Sequence, residues 1–128
     1  RVWHEKMLGF SEQILNELKL SDRVLLMCTG DMGAGQRKKY DVETWSPSQN
    51  IYRETHSASY FNDFQSRRLN IKYRAKDGTT KYVYTLNNTV IATPRLLAAI
   101  LENYQQEDGS IIIPEVLQKY MDKKVIDK

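Results

Sequence analysis

Residues 40–57, YDVETW–SPSQN–IYRETHS, constrain the fold more than any other stretch of the chain. YDVETW alternates with a period of two, which fits a strand with one buried face and not a helix. SPSQN reads as a turn and IYRETHS as the returning strand, so the segment is expected to form a β-hairpin. NIKYR and KYVYTL, joined by AKDGTT with Asp77-Gly78 as the turn, give a second hairpin signal. Helical periodicity flanks these strands. Residues 3–18 place Met7, Ser11, Ile14, Leu15 and Leu18 along one side, with Gly9 and Ser11 weakening the middle, so the helix starts near residue 3 or only after Ser11. From Arg95 onward, Leu97, Ile100, Leu101 and Tyr104 fall on one stripe, with Thr93 as N-cap, Pro94 as first helical residue and an end near Asp108-Gly109. NDFQSRRL (62–69) is expected to make one or two helical turns capped by Asn62. Arg23–Cys28 has the length of a buried strand, SIII that of a short one, and Pro114 starts a final turn over PEVLQKYM. The class that follows is α+β: a single domain of antiparallel sheet flanked by helices.

The 128 residues suffice for one modest core. A net charge of +3 permits a nucleic-acid or nucleotide partner without arguing for one. With one cysteine, Cys28, and two separated histidines, His4 and His56, neither an internal disulfide nor a zinc site is expected. A reduced, cytoplasm-like compartment follows, with a mitochondrial location left open. Cys28, inside VLLMC, is expected to be a buried packing residue. No apolar stretch approaches the roughly 20 residues of a membrane span, and no signal-peptide pattern is present. The start at Arg1, without methionine, leads us to expect further sequence upstream.

Several residues carry possible chemistry. TGDMGAGQRKK (29–39) is rich in glycine, but a phosphate-cradling loop ends in Gly-Lys-Ser/Thr at a helix start. Here the glycines lead into Arg37, Lys38, Lys39 and a strand, so this reads as a flexible surface loop with a basic end. The first hairpin carries Asp41, Glu43 and Glu54. A turn that sets Trp45 opposite Tyr52 also sets Glu43 opposite Glu54, and opposed like charges destabilise a sheet. A divalent cation, a basic side chain or a partner cation must then compensate, unless the register slips by one and the carboxylates never meet. Glu54-Thr55-His56-Ser57 gathers oxygen ligands suited to Mg²⁺ with nucleotide phosphates, while His56 reads first as a structural histidine. Arg95 occupies a first helical turn, where the macrodipole disfavours a cation. It fits there if a phosphate shares the free N–H groups, or if it pairs with Glu102 or a nearby loop acid. Asn87, Asn88 and Thr89 are turn residues or hydrogen-bonders for a small ligand.

Three longer runs resemble a known family: TGDMGAGQRKKYDVETW, YRETHSASYFNDFQSRRLNIKYR and TLNNTVIATPRLLAAILENYQQEDGSIIIPEVLQKYM. Together they are similar to the C-terminal part of the catalytic domain of seryl-tRNA synthetase, from about Leu15 to Met121. The segment around Arg95, about 82–106, resembles the third signature motif of class II aminoacyl-tRNA synthetases. The resemblance implies activation of L-serine with ATP and Mg²⁺ to seryl-adenylate, then transfer to serine tRNA. It implies that Glu54 and Ser57 take the metal and ATP contacts, with Thr55 and His56 in the same ATP-binding stretch. Asn87 and Thr89 match serine-holding positions, Arg95 matches the arginine on the terminal phosphate of ATP, and Glu43 supports the site from the paired strand. Some members read Gly-Ser at Asn88-Thr89 and Val-Gly at Thr93-Pro94.

The family also carries a tRNA-gripping coiled-coil arm, a first motif at a homodimer interface and a second motif on the α-phosphate. None of these is found in the 128 residues, so the chain is expected to hold about half an active site and to be inactive alone. Two other classes fit a synthetase-like fold: a non-catalytic binding module, and a ligase that loads an amino acid onto a carrier other than tRNA.

Overall fold

The computed structural model describes residues 1–127. A helix, α1 (Val2–Glu17), leads into β1 (Asp22–Leu26), a single 3-10 turn over Thr29–Asp31, and the hairpin β2 (Lys38–Ser46) and β3 (Ile51–Tyr60). Next come α2 (Phe64–Leu69), the small hairpin β4 (Lys72–Arg74) and β5 (Thr80–Tyr82), and β6 (Leu86–Thr89). The chain then runs through α3 (Thr93–Tyr104), β7 (Ile111–Ile112), α4 (Glu115–Met121) and β8 (Val125–Ile126). The central sheet is antiparallel in the order β1-β2-β3-β6, and β4-β5 and β7-β8 form separate two-stranded ribbons. The expected α+β architecture and both hairpins are present. No described helix is long and apolar enough to cross a membrane.

The helices α1, α3 and α4 gather on one face of the sheet. Leu8, Leu15, Leu18, Leu20, Val42 and Leu96 form the buried cluster, with Ile14, Val24, Tyr40, Ile100, Tyr104, Val116 and Leu117 packed around it. Leu15, from α1, is wholly buried, and Tyr104 at the end of α3 donates its hydroxyl to the Leu18 carbonyl at 2.6 Å. The helix α1 is continuous: a side chain at Gly9 would meet nothing within 4 Å, and Ser11 is buried against Asn88 of β6. Asn88 also donates to the Met7 carbonyl at 2.7 Å, which fixes β6 under α1. Gly35, in the loop before β2, lies where any added Cβ would run into the Phe64 ring of α2.

Strand pairing sets the opposite face. In the register Arg23↔Glu43↔Glu54 and Asp41↔Ser57↔Thr89, directly opposed residues point the same way. Lys39, Ser59 and Asn87 continue that row. The side away from α1 and α3 is therefore lined with charged and hydroxyl side chains. Part of it is overlain by the loop before β2, whose Gln36 donates to Ser59 at 2.7 Å.

Several expectations need correction. The run Arg23–Cys28 is not a buried strand: β1 pairs only with β2, Leu26 is 65% exposed, and Cys28 lies beyond the strand and is exposed. An apolar run does not reveal whether its strand is central or at an edge. Asn62 does not cap α2; it takes a left-handed conformation (φ 51°) leaving β3, and Asp63 stands at the cap. The third helix starts one residue early, with Ala92 as N-cap, and ends at Tyr104 rather than near Gly109. Its inward stripe is Leu96, Ala99, Ile100 and Tyr104, while Leu97 is 53% exposed. The doublets Leu96-Leu97 and Ile100-Leu101 support two stripes one residue apart, and packing against Val42 selects between them. The two-residue strand β8 carries too short a pattern to have been read.

Candidate active site

Of the two registers left open, the one with Trp45 opposite Tyr52 and Glu43 opposite Glu54 is observed. The repulsion this creates is met by two arginines rather than left standing. Arg23 Nε lies 2.6 Å from Glu43 Oε2, and Arg95 Nη1 lies 3.1 Å from Glu54 Oε2. Arg95 donates a second bond to the Glu54 carbonyl at 3.1 Å. Its carboxylate partner is thus Glu54 and not Glu102. Glu102 instead accepts from Ser46 at 2.7 Å, a bond that holds its carboxyl below the usual range.

The strand register between Val42 and Glu43 shifts by one, leaving Thr55 as an extra residue on β3. This bulge decides where the site residues point. Glu54 and Ser57 are three apart and would face opposite sides of a regular strand. Because their partners Glu43 and Asp41 are two apart, the extra residue brings both onto the open face. Thr89 of β6 lies directly opposite Ser57. The chain then turns through residues 90–92 into α3, where the Ala92 N–H bonds the Thr55 carbonyl at 3.4 Å. Glu54, Ser57, Thr89 and Arg95 consequently border one cleft of about 380 Å³. A neighbouring cleft of about 360 Å³ shares Arg95 and Glu54 and runs along α3 to Glu102.

Thr55 and His56 also line the first cleft, but both are buried. The Thr55 hydroxyl lies 2.7 Å from that of Thr44, 2.8 Å from His56 Nδ1 and 3.3 Å from the Val42 carbonyl. That hydroxyl is spent inside the protein, so only the backbone of Thr55 is left for a ligand. Burial pushes the His56 imidazole below its ordinary pKa, and its Nε2 has no protein partner. Asn87 sits on the same face opposite Ser59, outside the cleft and exposed. Glu43 faces the same way and borders Glu54 rather than the cleft. Asn88 points to α1 instead.

Sequence reasoning missed two partners on this face. Arg23 neutralises Glu43, and Lys39 Nζ bonds the 6% exposed Asp41 at 2.9 Å. Lys39, Asp41 and Glu43 stand at i, i+2 and i+4 of one strand, so their common face was legible. Arg23 was not, because the pairing of β1 with β2 is long-range. The described residues hold no group of three His, Cys, Asp or Glu able to cage a metal alone. Glu54 with Ser57 offers two oxygens, which suits a cation completing its shell with phosphate oxygens and water.

One family model matches most of the chain. The tRNA synthetase class II core domain (G, H, P, S and T) covers residues 3–104. The chain belongs to that family. Within it, the relatives it resembles are serine–tRNA ligases. That of Bdellovibrio bacteriovorus is 54% identical over 118 residues, 92% of this chain and 27% of the relative. That of Halalkalibacterium halodurans is 56% identical over 118 residues, 91% of this chain and 28% of the relative. Seryl-tRNA synthetase from Pyrococcus horikoshii, solved in complex with ATP, superposes with a TM-score of 0.92 at 50% identity, over 97% of this chain and 28% of that one. The chain thus spans less than a third of the length of these relatives.

Proposed function

We propose that this chain supplies the ATP and serine contacts of a serine–tRNA ligase, a cytoplasmic enzyme working as a homodimer. In the first step the serine carboxylate attacks the α-phosphorus of ATP. A new O–P bond forms, the bond to the β-phosphate bridge breaks, and pyrophosphate leaves. The seryl group then passes from AMP to the 3′ end of serine tRNA. The observation that carries the reading is the convergence of Glu54, Ser57, Thr89 and Arg95 on one cleft of about 380 Å³. The likeness to serine–tRNA ligases supports it, as does the ATP bound in the Pyrococcus horikoshii relative.

The residues divide the work by charge. Arg95, in the first turn of α3, takes the terminal phosphate with a planar donor fork beside the free N–H groups of the helix start. Glu54 and Ser57 hold a Mg²⁺ ion that, when bound, neutralises charge on the phosphates. Thr89 and Asn87 hydrogen-bond serine on the β6 side of the face. Thr55 and His56 back the ATP stretch from within the strand, and Glu43, tied to Arg23, keeps the neighbouring row in place. No side chain acts as a nucleophile; the acceleration comes from positioning and from charge already in place where pyrophosphate departs.

The test is serine-dependent ATP–pyrophosphate exchange, run on this chain and on a graft replacing the matched segment of the Bdellovibrio bacteriovorus ligase. We expect no exchange from the chain alone and exchange from the graft with serine but not threonine or alanine. A folded graft that is inactive, or active with the wrong amino acid, overturns the reading.

A further inference from the structure

A further cleft, of about 520 Å³, opens where α1 begins, between its first turn, the end of β1, the start of β2 and the end of β3. Lys38 is paired with Tyr60 there, one position out of step with Lys39 and Ser59, so this pair lies on the helix-bearing side of the sheet. The cleft shares no residue with the two around Arg95. His4 borders it and is 1% exposed. The imidazole stacks on Tyr40, ring centres 5.4 Å apart, and Nδ1 lies 3.9 Å from the Glu5 carboxylate, while Nε2 has no hydrogen-bond partner among the described residues. Buried polar atoms are almost always paired, so an orphaned nitrogen in a cleft wall marks where a ligand atom completes the pairing. With its proton on Nε2 the ring donates there, the complement of an anion.

The rest of the lining combines positive charge with apolar surface. Arg37 borders the cleft and has no carboxylate within 4.0 Å among the described residues. Lys38 borders it too, paired with Glu5, the acid of this lining. That pairing leaves no uncommitted carboxylate to receive a ligand's ammonium. Leu26, Met27, Met32 and the Tyr60 ring supply the apolar surface, and methionines adapt to irregular shapes. Inorganic phosphate would gain nothing from that surface. A neutral apolar molecule would leave Arg37 and His4 Nε2 without partners. An amino acid would bring an ammonium that nothing here neutralises. The combination suits an organic acid with one carboxylate and an apolar body.

We propose that this cleft binds a small organic acid carrying one carboxylate on an aryl or branched apolar body, the carboxylate held by Arg37 and His4 Nε2 and the body resting on Leu26, Met27 and Met32. The site is separate from the cleft around Glu54 and Arg95, and it stands whether or not that cleft activates serine.

The test is calorimetric titration with three probes: indole-3-acetate, its neutral counterpart indole-3-acetamide, and inorganic phosphate. Each is titrated into the chain and into the folded Bdellovibrio bacteriovorus graft. The acid is expected to bind both proteins, about tenfold or more tighter than the amide or phosphate, as a hydrogen bond to a charged group provides. Methyl resonances of Met27 and Met32 should shift as it binds while that of Thr89 stays in place, which locates the acid. Arg37→Met should bring the acid down to the affinity of the amide. Because Arg37 is exposed, that variant reads the site even where a substitution at buried His4 harms folding. His4→Phe, which keeps a ring against Tyr40, should weaken the acid about fivefold. Four results overturn the proposal: no binding of the acid at millimolar concentration, the three probes binding alike, an Arg37→Met variant that keeps the preference for the acid, or binding by the chain that the folded graft lacks. Failure of serine exchange in the graft does not touch it, so the two readings fall separately.

Discussion

Arg95→Ala separates what this arginine does for folding from what it does for chemistry. Its side chain is 58% exposed and that of Glu54 40% exposed, at 3.1 Å. An ion pair so wet contributes no more than about 1 kcal/mol to stability. Removing it also leaves Glu54 free to hydrate, so no buried charge is stranded. For a domain of this size, 1 kcal/mol moves the melting temperature by only a few degrees. Transition-state stabilisation is another matter. A preorganised donor aimed at developing charge is worth about 2.7–4 kcal/mol, or 10²–10³ in rate. The variant should therefore melt within a few degrees of the parent and lose serine-dependent ATP–pyrophosphate exchange by two to three orders of magnitude in the graft. Arg95→Lys should fall between, keeping the charge and losing the planar fork. Exchange within threefold of the parent would refute the phosphate role. A collapse in melting temperature would refute the argument that Arg95 is structurally dispensable.

Three more outcomes follow from the packing. Leu15→Ala, at a site with 0% exposure in the centre of the core, should cost about 2–5 kcal/mol by denaturant titration; a cost below 1 kcal/mol would mean the cluster is not where the stability lies. Thr55→Val strands the buried Thr44 hydroxyl and His56 Nδ1 and should cost about 1–3 kcal/mol, whereas Thr44→Val with Thr55→Val should cost less than the sum of the singles, because the double variant leaves only His56 Nδ1 unpaired. Glu5 and Lys38 form an ion pair whose hydrogen bond lowers the carboxyl pKa and raises the ammonium pKa. Its contribution is fully present above the unfolded glutamate value of about 4.5 and below the unfolded lysine value of about 10.5, and fades as pH falls below the first or rises above the second. Glu5→Gln should flatten the acid limb of a melting-temperature profile; being half-exposed, the pair accounts for no more than about 1 kcal/mol.

How much was legible depended on the range of the interaction involved. Trp45, Tyr52 and the turn between them, all local, offered the register that sets Glu43 against Glu54 but could not choose it over a slip by one. The turn itself is 47–50, because Ser46 pairs with Ile51. The same pattern concealed the bulge, because an extra residue such as Thr55 looks like one more strand residue until its partner strand is counted. Arg95 was conspicuous because it sat at the wrong end of a dipole, yet its partner Glu54 lies 41 positions away. Arg23 carried no signal of its role, since only the pairing of β1 with β2 brings it to Glu43. Cys28 misled for the same reason: apolar neighbours along the chain said nothing of the open edge beside it. The stripe on α3 slipped by one residue where two leucine-containing doublets made the frame ambiguous.

If Arg95 takes the terminal phosphate and Glu54 a metal ion, as proposed, the two side chains now paired at 3.1 Å must separate when ATP and Mg²⁺ bind. A crystal structure of the Bdellovibrio bacteriovorus graft with ATP and Mg²⁺ tests it most directly. The Arg95 guanidinium is expected on the terminal phosphate, the metal in contact with Glu54 and Ser57, and the 3.1 Å Arg95–Glu54 contact broken. A triphosphate bound elsewhere, with that contact intact, would contradict it.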